Sequence, residues 1–390
     1  MGKHVIVSLN SSDQSKMKHI IIYNHDIQKY PPILSAINFL LQEKEEVVVL
    51  GYCSNQNTID QIRLNGAKFY ETVVNDTTAS KLSKIFNLFS YKRIVFQIID
   101  KIADDKSLLW IYGNQNSWML HELVYKYKSI LYLFEIPRFK VSLRYKLLSP
   151  LLNYKKMMQH AFKVVCCEYN RAHITRAYFD LKEVPVVIPN KPDYKILKEV
   201  DVEVSRIISK LPQGKKIILY QGIFNFPERR LEELCQSIDF LPEDYIICLM
   251  GGDDKNKLRL VDKYKSNRVI FLPFVSAPNH LAITQKAHIG FLTYFPTEGI
   301  LESCLNTLYC APNKIYEYSN FGIPMISNDV PALKLQFDQF QAGISVVEFS
   351  PKKIAKAILE IEDDYISYSK GSQELFESIE IDKLYSKLCN

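Results

Sequence analysis

Along most of the chain, short runs that are apolar at consecutive positions alternate with longer stretches where apolar residues recur every three or four. The short runs fall at 19–23, 47–52, 69–74, 108–112, 130–134 and 163–167. After a break they resume at 216–220, 245–250, 269–272, 288–293, 324–327 and 343–347. Each reads as a strand. Ile-Ile-Leu-Tyr at 217–220 and Val-Val-Val-Leu at 47–50 are apolar at every position, which suits strands covered on both faces of a parallel sheet. The intervening segments are mostly of helix length, so each half of the chain reads as a doubly wound, Rossmann-like α/β unit.

The break lies in VPVVIPNKPDYK, where Pro189 and Pro192 bracket Asn190 and Lys191 and helix is disfavoured before each proline. The junction is placed at 189–193. The organisation expected is a domain over 1–189, a second over 190–370, and a terminal helix in 371–390 that can pack back on the first. Met17 is a natural start for the first strand, and residues 1–16 read either as an extra edge strand or as a loose extension. Late in the chain Ser350 caps a helix with Pro351 in its first turn. Ile354, Ala357, Ile358 and Ile361 form its apolar stripe. No internal repeat or low-complexity tract interrupts the pattern.

Composition agrees with two cores. Of 390 residues, 47% are hydrophobic and 24% charged, enough to fill two ordinary interiors. No stretch approaches the roughly 20 apolar residues of a membrane span, and the polar run SSDQSK follows MGKHVIVSLN at once, unlike a secretory signal. A cytoplasmic protein is expected. The 8 Cys are scattered, with no CxxC or His-rich spacing. The adjacent Cys166 and Cys167 would point to opposite faces of a strand. Buried free thiols in a reducing compartment follow, with no metal site and no cofactor.

The densest chemistry lies in APNKIYEYSNFGIPMISND at 311–329. Pro312 and Asn313 open a short helix, Gly322 can end it in the left-handed conformation, and Pro324 prevents its continuation. Its first turn presents unpaired N–H groups to an anion, with Lys314 adding a full charge. Glu317 lies three residues on, on the same face, where a carboxylate can accept from both hydroxyls of a ribose. The plain alternative is a solvated Lys–Glu pair on a helix surface.

This run resembles the donor-binding signature of the family-4, or "group 1", GT-B glycosyltransferases, in particular bacterial polysaccharide enzymes with a PNK-x-x-EY…G-x-P-x-I pattern. The resemblance implies two facing Rossmann-like domains with the active site between them. It also implies a nucleotide-diphosphate sugar as donor, retention of anomeric configuration, and no metal. In such enzymes the carboxylate at the position of Glu317 binds the ribose. Many relatives carry a second Glu eight residues earlier, but here that position is Tyr309. Glu298, Glu302 and Asn306, in EGILESCLNTLY, are the candidates for handling the sugar ring.

At lower specificity the resemblance spans the chain. In ILYQGIFNFPERRLEEL, Gly222 would allow close approach of the diphosphate, and Arg229 or Arg230, Arg229 preferred, would supply its countercharge. Two solvated arginines are the alternative. Gly251 and Gly252, after a buried strand, suggest a tight turn near the nucleotide. The adjacent Asp253 and Asp254 read as a solvated turn rather than a metal motif. Phe274 and Val275 are candidate walls for the base, unless Phe274 belongs to the core.

The first domain should hold the acceptor, a saccharide or a lipid-linked one, in the loops after its strands. Candidates are Asn24-His25-Asp26, Asn114-Gln115-Asn116 and Glu135, with His25 placed for a hydrogen bond or proton transfer or else purely structural. The formal charge of +6 is uneven: between Lys126 and Lys163 there are nine Lys or Arg and one acid, Glu135. These bases interleave with Tyr, Phe, Leu and Met, with no nucleic-acid recognition motif. The segment reads as a contact with an anionic inner-membrane surface or as a plain solvated face. Two rivals to a transferase stand beside it: a non-catalytic GT-B-like subunit supporting a partner enzyme, and a sugar-nucleotide epimerase.

Overall fold

The computed structural model describes residues 17–72, 81–192 and 200–389. The readings for 1–16, for the last two residues of the run at 69–74 and for Asp193 lie outside them. Seven strands form the first sheet: β1 (Lys18–Asp26), β2 (Glu46–Tyr52), β3 (Lys68–Glu71), β4 (Ser107–Tyr112), β5 (Lys128–Leu133), β6 (Lys163–Cys166) and β7 (Val186–Val187). Their order is β3-β2-β1-β4-β5-β6-β7. Six form the second: β8 (Lys216–Gln221), β9 (Tyr245–Met250), β10 (Val269–Leu272), β11 (Ile289–Leu292), β12 (Met325–Asn328) and β13 (Gly343–Val346). Their order is β10-β9-β8-β11-β12-β13, and every paired strand is parallel.

Each apolar run became a strand because helices cover both faces of both sheets. All six residues of β4 and of β9 are buried. Cys166 joins one core cluster of the first domain and Cys167 the other, so the adjacent thiols do face opposite ways. All eight cysteines are free. Two local readings change. Asn24, His25 and Asp26 are not a loop but the end of β1, where the register against β2 shifts between Ile22 and Asp26. Asn114, Gln115 and Asn116 likewise are not a loop but the first turn of the helix Asn114–Met119; the two-residue β7 has too little pattern to be seen in advance.

In each sheet the strand order reverses beside its first strand, between β1 and β4 and between β8 and β11. Such switch points leave a crevice at the carboxyl ends of the strands. Buried polar ties hold the two crevices face to face. Arg171, on the helix Tyr169–Phe179, is 5% exposed and donates to Phe134 O (2.8 Å), Asn306 O (3.0 Å) and Tyr309 O (2.5 Å). Gln28 reaches Ala277 O at 3.2 Å and Asn190 reaches Ala311 O at 2.8 Å. The last helix, Ile381–Cys389, lies on the helix Pro31–Gln42 of the first domain, with Tyr385 Oη donating to Pro32 O at 3.0 Å.

Candidate functional site

A first cavity, of about 680 Å³, opens at the β8/β11 switch point. Its floor is two glycines pressed together. A Cβ on Gly251 would stand 2.1 Å from Gly222 O, and one on Gly222 would meet Lys314 Cε at 3.3 Å. Only bare backbone lets these turns close to this distance. Lys257, 4% exposed, holds the turn from below by donating to Gly251 O (2.7 Å), Leu272 O (2.9 Å) and Asp253 Oδ1 (2.8 Å). Asp254 caps the helix Lys255–Tyr264 by accepting from the N–H groups of Asn256 and Lys257. The acidic pair is therefore structural.

The helix Asn313–Ser319 runs along this cavity, with Gly322 at φ +62° beyond its end. Tyr318 anchors it: its hydroxyl donates to Leu219 O at 2.8 Å, and its ring lies where a Cβ on Gly290 would be. Glu317 is thereby buried, 5% exposed. Its Oε2 accepts from Gln221 Nε2 at 2.6 Å and lies 3.3 Å from His280 Nε2. Among the described residues no hydrogen bond is made to Oε1. Gln221 is itself oriented by Thr284, whose hydroxyl donates to Gln221 Oε1 at 2.8 Å. Burial alone would raise the Glu317 carboxyl. The hydrogen bond and charge of His280, the charge of Lys314 and the Gln221 hydrogen bond outweigh it and hold the pKa below the ordinary 4.5.

The second cavity, of about 750 Å³, opens at the β1/β4 switch point and extends between the domains. Asn24 and His25 line it from β1, and Gly113 and Asn114 from the start of the helix Asn114–Met119 that follows β4. Burial lowers the pKa of His25, favouring the neutral ring. Asn24 Nδ2 and Asn114 Oδ1, a donor and an acceptor, are buried without a protein partner. The two cavities share four residues: Arg229, Tyr294, Asn313 and Lys314. The Arg229 guanidinium stacks 4.2 Å from the centre of the Tyr294 ring. Neither Arg229 nor Lys314 forms a salt bridge with a described carboxylate.

The residues singled out from sequence divide clearly. Gly222, Arg229, Gly251, Phe274, Val275, Asn313, Lys314 and Glu317 all line the first cavity. Phe274 is 67% exposed, which removes the reading that makes it core. His25, Asn114, Asn116, Glu135 and Asn306 line the second. Arg230 and Glu298 line neither, and both are exposed. Arg230 turns away to stack 4.0 Å over Phe295. Tyr309 lines neither cavity.

Three placed residues are already engaged. Asn116, 1% exposed, accepts from Tyr91 Oη and donates to Ile22 O, each at 3.0 Å. Asn306 Oδ1 accepts from Ile136 N–H at 2.8 Å, and Glu302 Oε1 from Phe139 N–H at 3.1 Å. Both serve to dock the helix Leu301–Leu308 on the first domain. Residues that sequence reasoning missed are Gln221, His280, Tyr294, Lys257 and Glu228. Gln221 leaves a trace, a polar residue closing an apolar strand before a glycine, and Glu228 adjoins Arg229 in sequence; His280, Tyr294 and Lys257 reach the site only through tertiary packing. Among the described residues no group of three or more His, Cys, Asp and Glu is placed to hold a metal ion. No described helix is long and apolar enough to cross a membrane.

No protein-family model matches the chain, and no curated protein matches it. Solved structures do. The chain is similar to a sucrose-phosphate synthase from Thermosynechococcus elongatus at TM-score 0.68 and 13% identity, covering 96% of this chain and 98% of that one. It is similar to HepE from Anabaena, solved with UDP and glucose, at TM-score 0.66 and 12% identity, with coverages of 96% and 98%. A glycosyltransferase from Rickettsia africae aligns at TM-score 0.65 and 11% identity over 96% and 97%. At these identities the likeness shows the fold, GT-B, with its two Rossmann-like domains.

Proposed function

We propose that the protein is a glycosyltransferase that takes a nucleotide-diphosphate sugar into the first cavity and passes its sugar to an acceptor in the second. The observation that carries this reading is the meeting of the two cavities at Arg229, Tyr294, Asn313 and Lys314. Two cations without carboxylate partners stand where a diphosphate would join a nucleoside on one side to a sugar on the other. The neighbours solved with UDP, glucose and UDP-glucose support a donor of this class.

In this reading the base lies against Phe274 and Val275, and Glu317 Oε1 accepts from the ribose hydroxyls. Gly222 and Gly251 admit the diphosphate to backbone distance. Arg229 and Lys314 stabilise the charge that grows on the leaving diphosphate as the glycosidic bond breaks, the task a divalent cation performs in other transferases. The donor is of the family-4 type, and the reaction retains anomeric configuration.

The acceptor is a saccharide or a lipid-linked saccharide of cell-surface polysaccharide synthesis. Its hydroxyl meets the orphaned Asn24 and Asn114 amides, with His25 and Glu135 beside them. Of the carboxylates in the second cavity, Glu302 is tied to the Phe139 backbone, whereas Glu228 accepts from the Thr297 hydroxyl at 2.9 Å and immediately precedes Arg229. Glu228 takes the sugar-handling role that Tyr309 and Glu298 leave unfilled.

Calorimetry of UDP-, GDP- and ADP-sugars tests the reading. Glu317→Ala and Arg229→Ala should each weaken the best donor by roughly tenfold or more, from the loss of about 1.5–3 kcal/mol per hydrogen bond to a charged group. Unchanged binding in both variants would refute it. The placement of Tyr309 and Glu298 outside the cavities favours one alternative, a non-catalytic subunit that retains the nucleotide site. Such a subunit would bind donor but give neither transfer nor slow hydrolysis of it.

A further inference from the structure

The nine cations between Lys126 and Lys163 do not form one face. Lys126, Lys155 and Lys163 pair with Asp100 (2.9 Å), Asp180 (3.1 Å) and Glu183 (3.5 Å). Lys128 lies 3.6 Å over the Phe162 ring, and Lys156, on the helix Tyr154–His160, forms no salt bridge with any described carboxylate. Lys128 and Lys163 also begin β5 and β6, at the amino ends of the strands and away from the cleft. Arg138, Lys140, Arg144 and Lys146 form no salt bridge with any described carboxylate. They flank the short helix Leu143–Leu148, on and beyond which Leu143, Leu147 and Leu151 are 74%, 70% and 88% exposed. A surface helix normally turns such residues inward. Here Tyr145 and Leu148 already fill the inward face, so Leu143 and Leu147 lie on an uncovered face of the helix, with Leu151 exposed in the turn after it.

This face stands beside the second cavity. Tyr145 Oη donates to Gln115 Oε1 at 2.7 Å, and Gln115 and Arg138 both line that cavity. The helix Lys81–Ile102 brings more apolar surface to the same end. Its Tyr91 Oη meets Asn116, just past β4, and Lys92 Nζ donates to Leu148 O at 3.3 Å. At about 1.5 Å rise per residue, the turns before Tyr91 project beyond the carboxyl edge of the sheet. They carry Phe86 and Phe89, 70% and 49% exposed.

We infer that this face docks on an anionic lipid surface. The leucines and phenylalanines enter the headgroup boundary, the four cations without carboxylate partners hold the acidic headgroups, and the mouth of the acceptor cavity lies against the bilayer. Exposed apolar side chains beside cations that form no salt bridge fit a negatively charged interface, where each partner strengthens the other. The inference concerns the acceptor side of the proposed reaction and does not depend on nucleotide binding.

Co-sedimentation of the whole chain with phosphatidylglycerol–phosphatidylcholine vesicles, against phosphatidylcholine alone, tests it. The protein should partition onto the anionic vesicles only, and less as salt rises. Leu143→Ser/Leu147→Ser/Leu151→Ser should abolish partition. Lys140→Glu and Lys146→Glu should each weaken it by roughly fivefold or more. All variants should keep the donor affinity of the wild type, so that loss of vesicle binding is separable from failure of the nucleotide reading. Equal binding to neutral vesicles, unchanged partition of the triple variant, or loss of a self-associated state in that variant without vesicles would each overturn the inference.

Discussion

Glu317 shows how much a single position can carry. Its sequence neighbours place it on the Lys314 face of a helix, but its chemistry comes from Gln221, Thr284 and His280, which arrive from a strand end and a distant helical turn. Gln221→Leu removes the 2.6 Å hydrogen bond and leaves a buried carboxylate short of a donor. It should weaken nucleotide binding by roughly tenfold, as about 1–3 kcal/mol of lost satisfaction implies, measured by calorimetry. Because the carboxyl is held below 4.5 in the folded protein, Glu317-dependent affinity should persist at pH 5 and fade only at lower pH. Lys257 is a comparable case. Lys257→Met orphans the carbonyls of Gly251 and Leu272, at roughly 1–3 kcal/mol for each buried acceptor. A lower unfolding temperature and a looser donor site should follow. The carboxylate and the glycines were legible because their types and spacing are local; their partners were not, because nothing local marks them.

At the scale of elements, strands were the most legible feature and bridging helices the least. A strand buried on both faces announces itself as an unbroken apolar run, and each predicted run was found. The helix Leu301–Leu308 has no fully buried residue, so its apolar pattern says little about where it lies. Its place comes from Asn306, Glu302 and the Arg171 guanidinium. The sequence reading offered Asn306 to the sugar ring because a polar residue near a donor motif looks like chemistry. In the structure its carbonyl oxygen belongs to domain docking. Arg171→Met should cost roughly 3 kcal/mol or more, since three carbonyls lose their donor at about 1–3 kcal/mol each. Solution scattering should then report a more open molecule. Arg230, which stacks on Phe295 rather than entering the cleft, shows a one-residue ambiguity at a helix start that only the helix's rotation resolves.

The whole molecule is two similar sheets facing each other across their switch points, tied by a last helix that returns to the first domain. Far from the cleft, Glu362 accepts from Lys216 (2.7 Å) and Tyr245 (2.9 Å) and lies 2.6 Å from His288. Burial would raise its pKa, but these hydrogen bonds and the His288 charge bring it down to about 2. Because the folded value lies below the ordinary 4.5, its contribution to stability is full above that pH. It should disappear as pH falls from 4.5 toward 2. Unfolding temperatures across this range should decline less steeply in Glu362→Gln. The donor half of the cleft could be anticipated because its residues sit in compact strand–turn–helix units. The acceptor half is assembled from strand ends far apart in sequence, and its openings onto solvent or membrane emerge only when both domains are in place.

The central claim is that the cleft at Arg229, Lys314 and Glu317 holds a nucleotide-diphosphate sugar. Thermal unfolding of the wild type and of Glu317→Ala, side by side across UDP-, GDP- and ADP-sugars, tests it most directly. At least one nucleotide sugar should raise the wild-type midpoint, since a ligand at 100 times its Kd adds about 2.7 kcal/mol to the folded state, and the same compound should move Glu317→Ala by about half as much or less, since a Kd tenfold weaker leaves about 1.4 kcal/mol. A wild type indifferent to every nucleotide sugar, or a shift that survives intact in Glu317→Ala, would contradict it.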